Sequence, residues 1–152
     1  MAPPNLHEFT TGGAGRAPYH RRMLRTDWSR RLAALAAAVA VLAIALLIRA
    51  LADGPLEQHS GTALYASLIY AGVFLLWPRA TPPVAGAVAI AFCWLVELSQ
   101  LTGVPAYLSE RSLLARLALG VAYDPLDMLW YPVGVLPLVA AHLLLRRRRA
   151  TA

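Results

Sequence analysis

Four apolar runs, each near the length of a membrane-crossing helix, constrain this chain of 152 residues more than any other feature. Seventeen consecutive residues from Leu32 to Ile48 are apolar, and the run continues to Ala52 with Arg49 as its one charge. Gly61 to Trp77 forms a second run, broken by Thr62 and Ser67 and ended by Trp77-Pro78-Arg79. Pro83 to Thr102 forms a third, with Glu97, Ser99 and Gln100 near its far end. Pro125 to Leu145 forms the fourth, carrying Asp127 near its start and closing on Arg146 to Arg149. At about 1.5 Å rise per residue such runs cross the ~30 Å hydrocarbon core as helices. They are too long and too uniformly apolar for the alternating strands of a membrane barrel.

The expected fold class is therefore an all-α membrane protein, a four-transmembrane-helix bundle with spans at 32–52, 61–77, 83–102 and 125–145 within a membrane domain of residues 26–149. Composition agrees, with 59% hydrophobic and 14% charged residues, against about 25% charged in a soluble domain. Residues 1–25, with three prolines, a glycine patch and several arginines, read as a disordered basic tail, and 150–152 as a short C-terminal one.

All fourteen basic residues are Arg, and they stand in blocks beside the apolar runs. That placement argues against nucleic acid as a partner and for membrane lipids, since such blocks set topology and meet anionic headgroups. Eleven arginines flank one side of the four spans and three the other, so both termini are expected in the cytoplasm. Trp28 and Trp77 then mark the inner interface, and Tyr107 and Tyr123 the outer one. The first run also resembles a secretory signal with Ala50-Leu51-Ala52 before a cut, which a mature chain starting at Asp53 would reveal.

Side chains that interrupt the apolar runs are the candidates for chemistry. Glu97 and Gln100 are three apart on span three; Asp127, Tyr131 and Gly134 share a face of span four. Glu97 lies roughly 7 Å, and Asp127 roughly 3 to 5 Å, inside the outer end of its span, so antiparallel packing puts both carboxyls at similar depth. Between these spans, Ser109 is expected to cap a short interfacial or re-entrant helix ending at Gly120, with Leu113, Leu114 and Leu117 on one side and Arg111 and Arg116 on the other. A guanidinium fork suits a carboxylate or a phosphate. The six residues Glu97, Gln100, Arg111, Arg116, Asp127 and Tyr131 thus define an outward-facing polar site, which serves either a ligand or only the register of spans three and four.

Packing should use small residues: Ala63, Ser67 and Ala71 make a stripe on span two, and Ala85, Gly86 and Ala89 one on span three. Pro132 and Pro137 remove hydrogen bonds from the carbonyls of Met128 and Val133, predicting a kink. The four histidines are scattered, Cys93 is alone, and no phosphate loop or nucleophile elbow occurs, so neither a metal nor another cofactor is implied.

Read together, Gly61-x-Ala63-Leu64-Tyr65-Ala66-x-Leu68-Ile69-Tyr70, Phe92-Cys93-x-x-x-Glu97-Leu98-Ser99-Gln100-Leu101, Arg111, Leu119-Gly120 and Asp127-x-x-x-Tyr131-x-x-Gly134 resemble the domain of unknown function 2809 family of small bacterial inner-membrane proteins. More distantly, Glu97-x-x-Gln100 followed by Asp127 is similar to VanZ-like proteins, a family associated with teicoplanin resistance. The resemblance implies a four-span protein of the bacterial cytoplasmic membrane and, for the closer family, no established activity.

Three functions remain open at this point. The chain is a binding or accessory protein for an anionic lipid or cell-envelope precursor headgroup at the outer leaflet; or an enzyme on such a headgroup with Glu97 or Asp127 as general base; or a subunit that lends its small-residue faces to a membrane-protein partner or a second copy of itself.

Overall fold

In a computed structural model of the protein, the described residues are 17–51 and 53–151. The chain forms α1 (Ala17–Leu51), α2 (Pro55–Leu76), α3 (Pro82–Gln100), α4 (Val104–Ser109), α5 (Leu113–Leu119) and α6 (Asp127–Ala150), with no strand among the described residues. Four helical stretches are long and apolar enough to cross a membrane: Thr26–Leu51, Pro55–Leu76, Pro82–Gln100 and Asp127–Arg148. The protein is an all-α, multi-pass membrane protein.

Proline sets several of the helix starts. Pro55 opens α2, Pro82 and Pro83 open α3, and Pro105 stands in the first turn of α4, where a missing N–H costs nothing and the fixed φ is already helical. This is why α2 begins six residues before the apolar run at Gly61, taking in Glu57, Gln58 and His59. The first helix likewise reaches back to Ala17, into the stretch read as a tail; residues 1–16 of that tail lie outside the described residues. At the C-terminus α6 takes in Ala150, the first residue of the expected tail, and Thr151 stands as its cap; Ala152 lies outside the described residues.

The long helices do not share the core equally. Helices α2, α3 and α6 pack on one another, whereas α1 packs on α2 alone. The centre is small and tight: Ala66, Ala85, Ala89, Cys93 and Val135 have no exposed surface. The expected stripes lie at these contacts, with Ser67 and Ala71 buried on α2 and Ala85, Gly86 and Ala89 buried on α3. A Cβ added to Gly86 would stand 2.7 Å from Cγ2 of Val139. Gly134 is tighter still, because its Cβ would run into the backbone of Ala63, first its carbonyl oxygen. With no hydrophobic drive between helices in lipid, such close approach is how they gain contact. The large apolar side chains of α1, among them Leu35, Val39 and Leu46, are exposed and so face lipid.

Pro132 and Pro137 both sit inside α6, which continues through them as helix. Pro132 leaves the Met128 carbonyl without its usual donor, and the indole Nε1–H of Trp94 on α3 donates to it at 3.0 Å. A neighbouring helix repairs the gap, as membrane helices with internal proline require.

Candidate functional site

Glu97 anchors the polar end of the bundle. It stands in the last turn of α3 at 1% exposure, among the largest fully buried side chains of the protein. Oε2 accepts the Tyr131 hydroxyl at 2.6 Å, and Oε1 accepts the backbone N–H of Asp124 at 2.7 Å. Each carboxyl oxygen therefore holds a different segment: Tyr131 belongs to α6, and Asp124 to the strap that leads into it. Asp124 is itself folded for this, its Oδ1 accepting the N–H of Leu126 at 2.9 Å, the local turn expected of Asp before Pro. Its Oδ2 accepts Nε2 of Gln58 on α2 at 2.9 Å.

Asp127, one turn before Tyr131 on α6, turns toward α2, where its Oδ1 accepts the Thr62 hydroxyl at 2.9 Å. Further along the same interface the Ser67 hydroxyl reaches the Gly134 carbonyl at 3.0 Å. Both residues that break the second apolar run thus hydrogen-bond to α6. His59, also on α2, stacks on Trp130 with ring centres 4.9 Å apart and planes within 13°.

Helices α4 and α5 form a cap, fastened to this end by Gln100 of α3 and Tyr65 of α2 and closed on itself by Ser109 of α4. Gln100 donates from Nε2 to the Leu119 carbonyl at 2.8 Å, Tyr65 donates to Ala118 O at 2.7 Å, and Ser109 donates to Gly120 O at 2.8 Å. All three seize the C-terminal end of α5, where carbonyls have no helical partner. Gly120 makes that end accessible: at φ 69° it turns the chain away, and a Cβ there would sit 2.7 Å from Nε2 of Gln100. Oε1 of Gln100 and Nδ1 of His59 are buried without a partner among the described residues.

In place of a helix from Glu110 to Leu119 capped by Ser109, two shorter helices stand on either side of a break at residues 110–112. Ser109 ends α4, and Ser112 caps α5, accepting the Ala115 N–H at 3.3 Å. Gly120 stops α5 as expected. The split moves the arginines outward. Arg111, between the two helices, lies over the Tyr107 ring with its guanidinium carbon 3.7 Å from the ring centre. Arg116 lines a cleft of about 200 Å³ with Ala106, Ser109, Glu110 and Val121. Both are exposed. The ion pairs among the described residues are Arg79–Asp27 and Arg49–Glu57, so neither Arg111 nor Arg116 bridges Glu97 or Asp127. Of the six sequence candidates, the structure joins Glu97 to Tyr131, sets Asp127 against α2, gives Gln100 to the cap and leaves both arginines on the cap surface.

Comparison with known proteins supplies a family. A family model described as "Protein of unknown function (DUF2809)" matches residues 51–135, more than half of the chain. The chain belongs to that family. The DUF2809 match begins at Leu51, at the end of α1, and stops at Val135 in α6, so it takes in Glu97, the cap and both residues that hold Asp127 and Tyr131 to the rest. No curated protein and no solved structure matches the chain.

Thr62, Gln58, Asp124 and Tyr65 take part in the network without having been candidates on spacing. Thr62 carried a signal, as one of two polar breaks in an apolar run. Asp124-Pro125 carried another, as a turn dipeptide just before a span. Gln58 carried none, since it lies outside the apolar run.

Proposed function

We propose that this DUF2809 protein is a binding or accessory protein for an anionic headgroup, that of a lipid or a cell-envelope precursor, at the outer leaflet of a bacterial cytoplasmic membrane. The cap of α4 and α5 is the binding element, with Arg111 and Arg116 as its cations. The observation that carries this reading is that both guanidiniums are exposed and without a carboxylate partner among the described residues, Arg116 beside a cleft that Ser109 and Glu110 also line. Leu113, Leu114 and Leu117 of α5 are 71%, 78% and 64% exposed, which suits a helix lying at the membrane interface with its leucines in lipid. The arginine count supports the orientation: eleven on the side of the termini and three on the side of the cap.

In this reading Glu97 is a positioning residue. Both its oxygens are engaged by donors from this chain and it has almost no exposed surface, so it fixes the strap and α6 beneath the cap. A general base needs a free lone pair facing a substrate proton. That requirement favours binding over catalysis.

The test is native mass spectrometry of the full chain released from mild detergent with phosphatidylglycerol or phosphatidylcholine added. The unaltered protein should retain phosphatidylglycerol on the cap preferentially, and Arg111→Gln/Arg116→Gln should weaken that retention about thirtyfold, at the worth of two arginines near an anionic headgroup. Equal retention of both lipids by the cap sinks the reading. Turnover of labelled envelope lipids that disappears in Glu97→Gln would establish the enzyme instead.

A further inference from the structure

The opposite end of the bundle carries a second cationic cluster, built around the α2–α3 turn from Trp77 to Thr81. Two arginines from different helices bend onto the backbone of this turn. Arg30 of α1 donates from Nη1 to the Pro78 carbonyl at 3.5 Å, and Arg146 of α6 donates from Nη2 to the Ala80 carbonyl at 3.4 Å. The turn supplies a third, Arg79, whose Nη2 is 2.9 Å from Oδ2 of Asp27. Arg79 and Asp27 neutralise each other. Arg30 and Arg146 have no carboxylate among the described residues, and a carbonyl or the His142 ring takes only some of their five N–H donors each.

A topology signal alone does not require this arrangement. Positive charge on one side of the membrane needs arginines near the helix ends, each free to extend into water. Here two are drawn to one short turn from either side, at carbonyls that leave the positive charge uncompensated. Arg31, Arg147 and Arg148 add exposed charge at the same end, and Trp77 and Trp28, 53% and 65% exposed, flank it. Tryptophan rings of this kind sit at headgroup depth. The residues that combine a cationic fork with an aromatic at that depth suit a phosphate ester whose chains remain in the bilayer.

We propose that the α2–α3 turn binds a phosphate group between Arg30 and Arg146, with an anionic phospholipid of the cytoplasmic leaflet as its natural source. The site is separate from the α4–α5 cap and stands whether or not the cap binds anything.

The experiment uses the full chain carrying Arg111→Gln/Arg116→Gln, so that the cap is silent. Phosphatidylglycerol, phosphatidylcholine and inorganic phosphate are each titrated, and bound species are counted by native mass spectrometry. Phosphatidylglycerol should bind in preference to phosphatidylcholine, and adding Arg30→Gln/Arg146→Gln should weaken it about thirtyfold. Retention of the lipid against excess inorganic phosphate assigns the site to lipid, and displacement assigns it to a soluble phosphate; either result supports a phosphate site. Equal binding of the two lipids, or indifference to the added pair of substitutions, overturns it. Should those substitutions prevent folding, the preference between the two lipids on the cap-silent protein decides alone. A failure of the cap reading shows differently, as a phosphatidylglycerol complement that Arg111→Gln/Arg116→Gln does not change.

Discussion

At the end of the bundle that carries α4 and α5, the contacts of Glu97 and Gln100 are buried or half-buried and run between different elements. At the opposite end, around the α2–α3 turn, the contacts are exposed or half-buried and made by arginine. The charges differ as well. Around the cap stand Arg49, Arg111 and Arg116 against Asp53, Glu57, Glu97, Glu110, Asp124 and Asp127; around the turn stand Arg30, Arg31, Arg79, Arg146, Arg147 and Arg148 against Asp27. The cap end is thus three charges negative and the turn end five positive among side chains that are described. A buried polar group that loses its partner costs far more than an exposed one. The cap end therefore specifies how the helices sit, while the turn end presents exposed positive charge.

Removing the central carboxyl breaks the comparison most directly. Glu97→Ala leaves the Tyr131 hydroxyl and the Asp124 N–H without acceptors in a buried place, at about 2 kcal/mol for each orphaned donor and about 4 kcal/mol in all. Thermal unfolding in mild detergent should show a large fall in Tm, with the cap becoming sensitive to protease. A variant as stable as the parent would mean that Glu97 is not the centre of the network. Glu97→Gln keeps one acceptor and should recover about half of the loss.

Gly134→Ala tests the seam below the network. The added methyl meets the backbone of Ala63, which cannot rotate away, so α6 must shift from α2 at a cost of about 3 kcal/mol. Because that shift also pulls Asp127 from Thr62, Gly134→Ala combined with Thr62→Val should cost less than the two apart. Strict additivity would show that the seam and the network are independent. Tyr131→Phe comes next, at about 2 kcal/mol, since it removes one of the two donors to Glu97 without making a cavity; a neutral result would assign the hydroxyl no part in the fold.

How much of this was legible in the sequence differs between the ends. The four spans were, because seventeen apolar residues in a row admit few other structures. The turn end was largely legible too, since Trp-Pro-Arg and the arginine block announce an interface by composition. The cap end was legible only in its parts. Spacing put Asp127 and Tyr131 on one side of α6, but one turn along that side the carboxyl meets α2 and the phenol meets α3. Two residues on one broad helix face reach two neighbours, and sequence spacing does not say which. The partner of Oε1 was hidden more deeply: it is a backbone N–H, which every residue but proline owns, so no side chain marks it. Ser112, not Ser109, supplies the N-cap of α5; the two serines offer the same local signal, and what separates them is the tertiary bond from Ser109 to Gly120.

The smallest effect is expected at the turn end, and it sharpens the comparison because the pair involved has the better geometry on paper. Arg79 faces Asp27 with Nη2 at 2.9 Å and Nε at 3.1 Å from the same carboxyl oxygen, a closer and more fork-like contact than anything Arg111 or Arg116 makes. Yet the Arg79 side chain is 54% exposed and that of Asp27 23%, so water and salt screen the pair. Arg79→Gln should cost under about 1 kcal/mol, and the double substitution with Asp27→Asn no more than either alone. Raising the salt concentration should shrink even that difference, while leaving the cost of Glu97→Ala unchanged. A salt-independent loss of several kcal/mol at Arg79 would mean that the pair is shielded, and that α1, which packs on α2 alone, is clasped at this end by charge as firmly as α6 is held by Glu97 at the other.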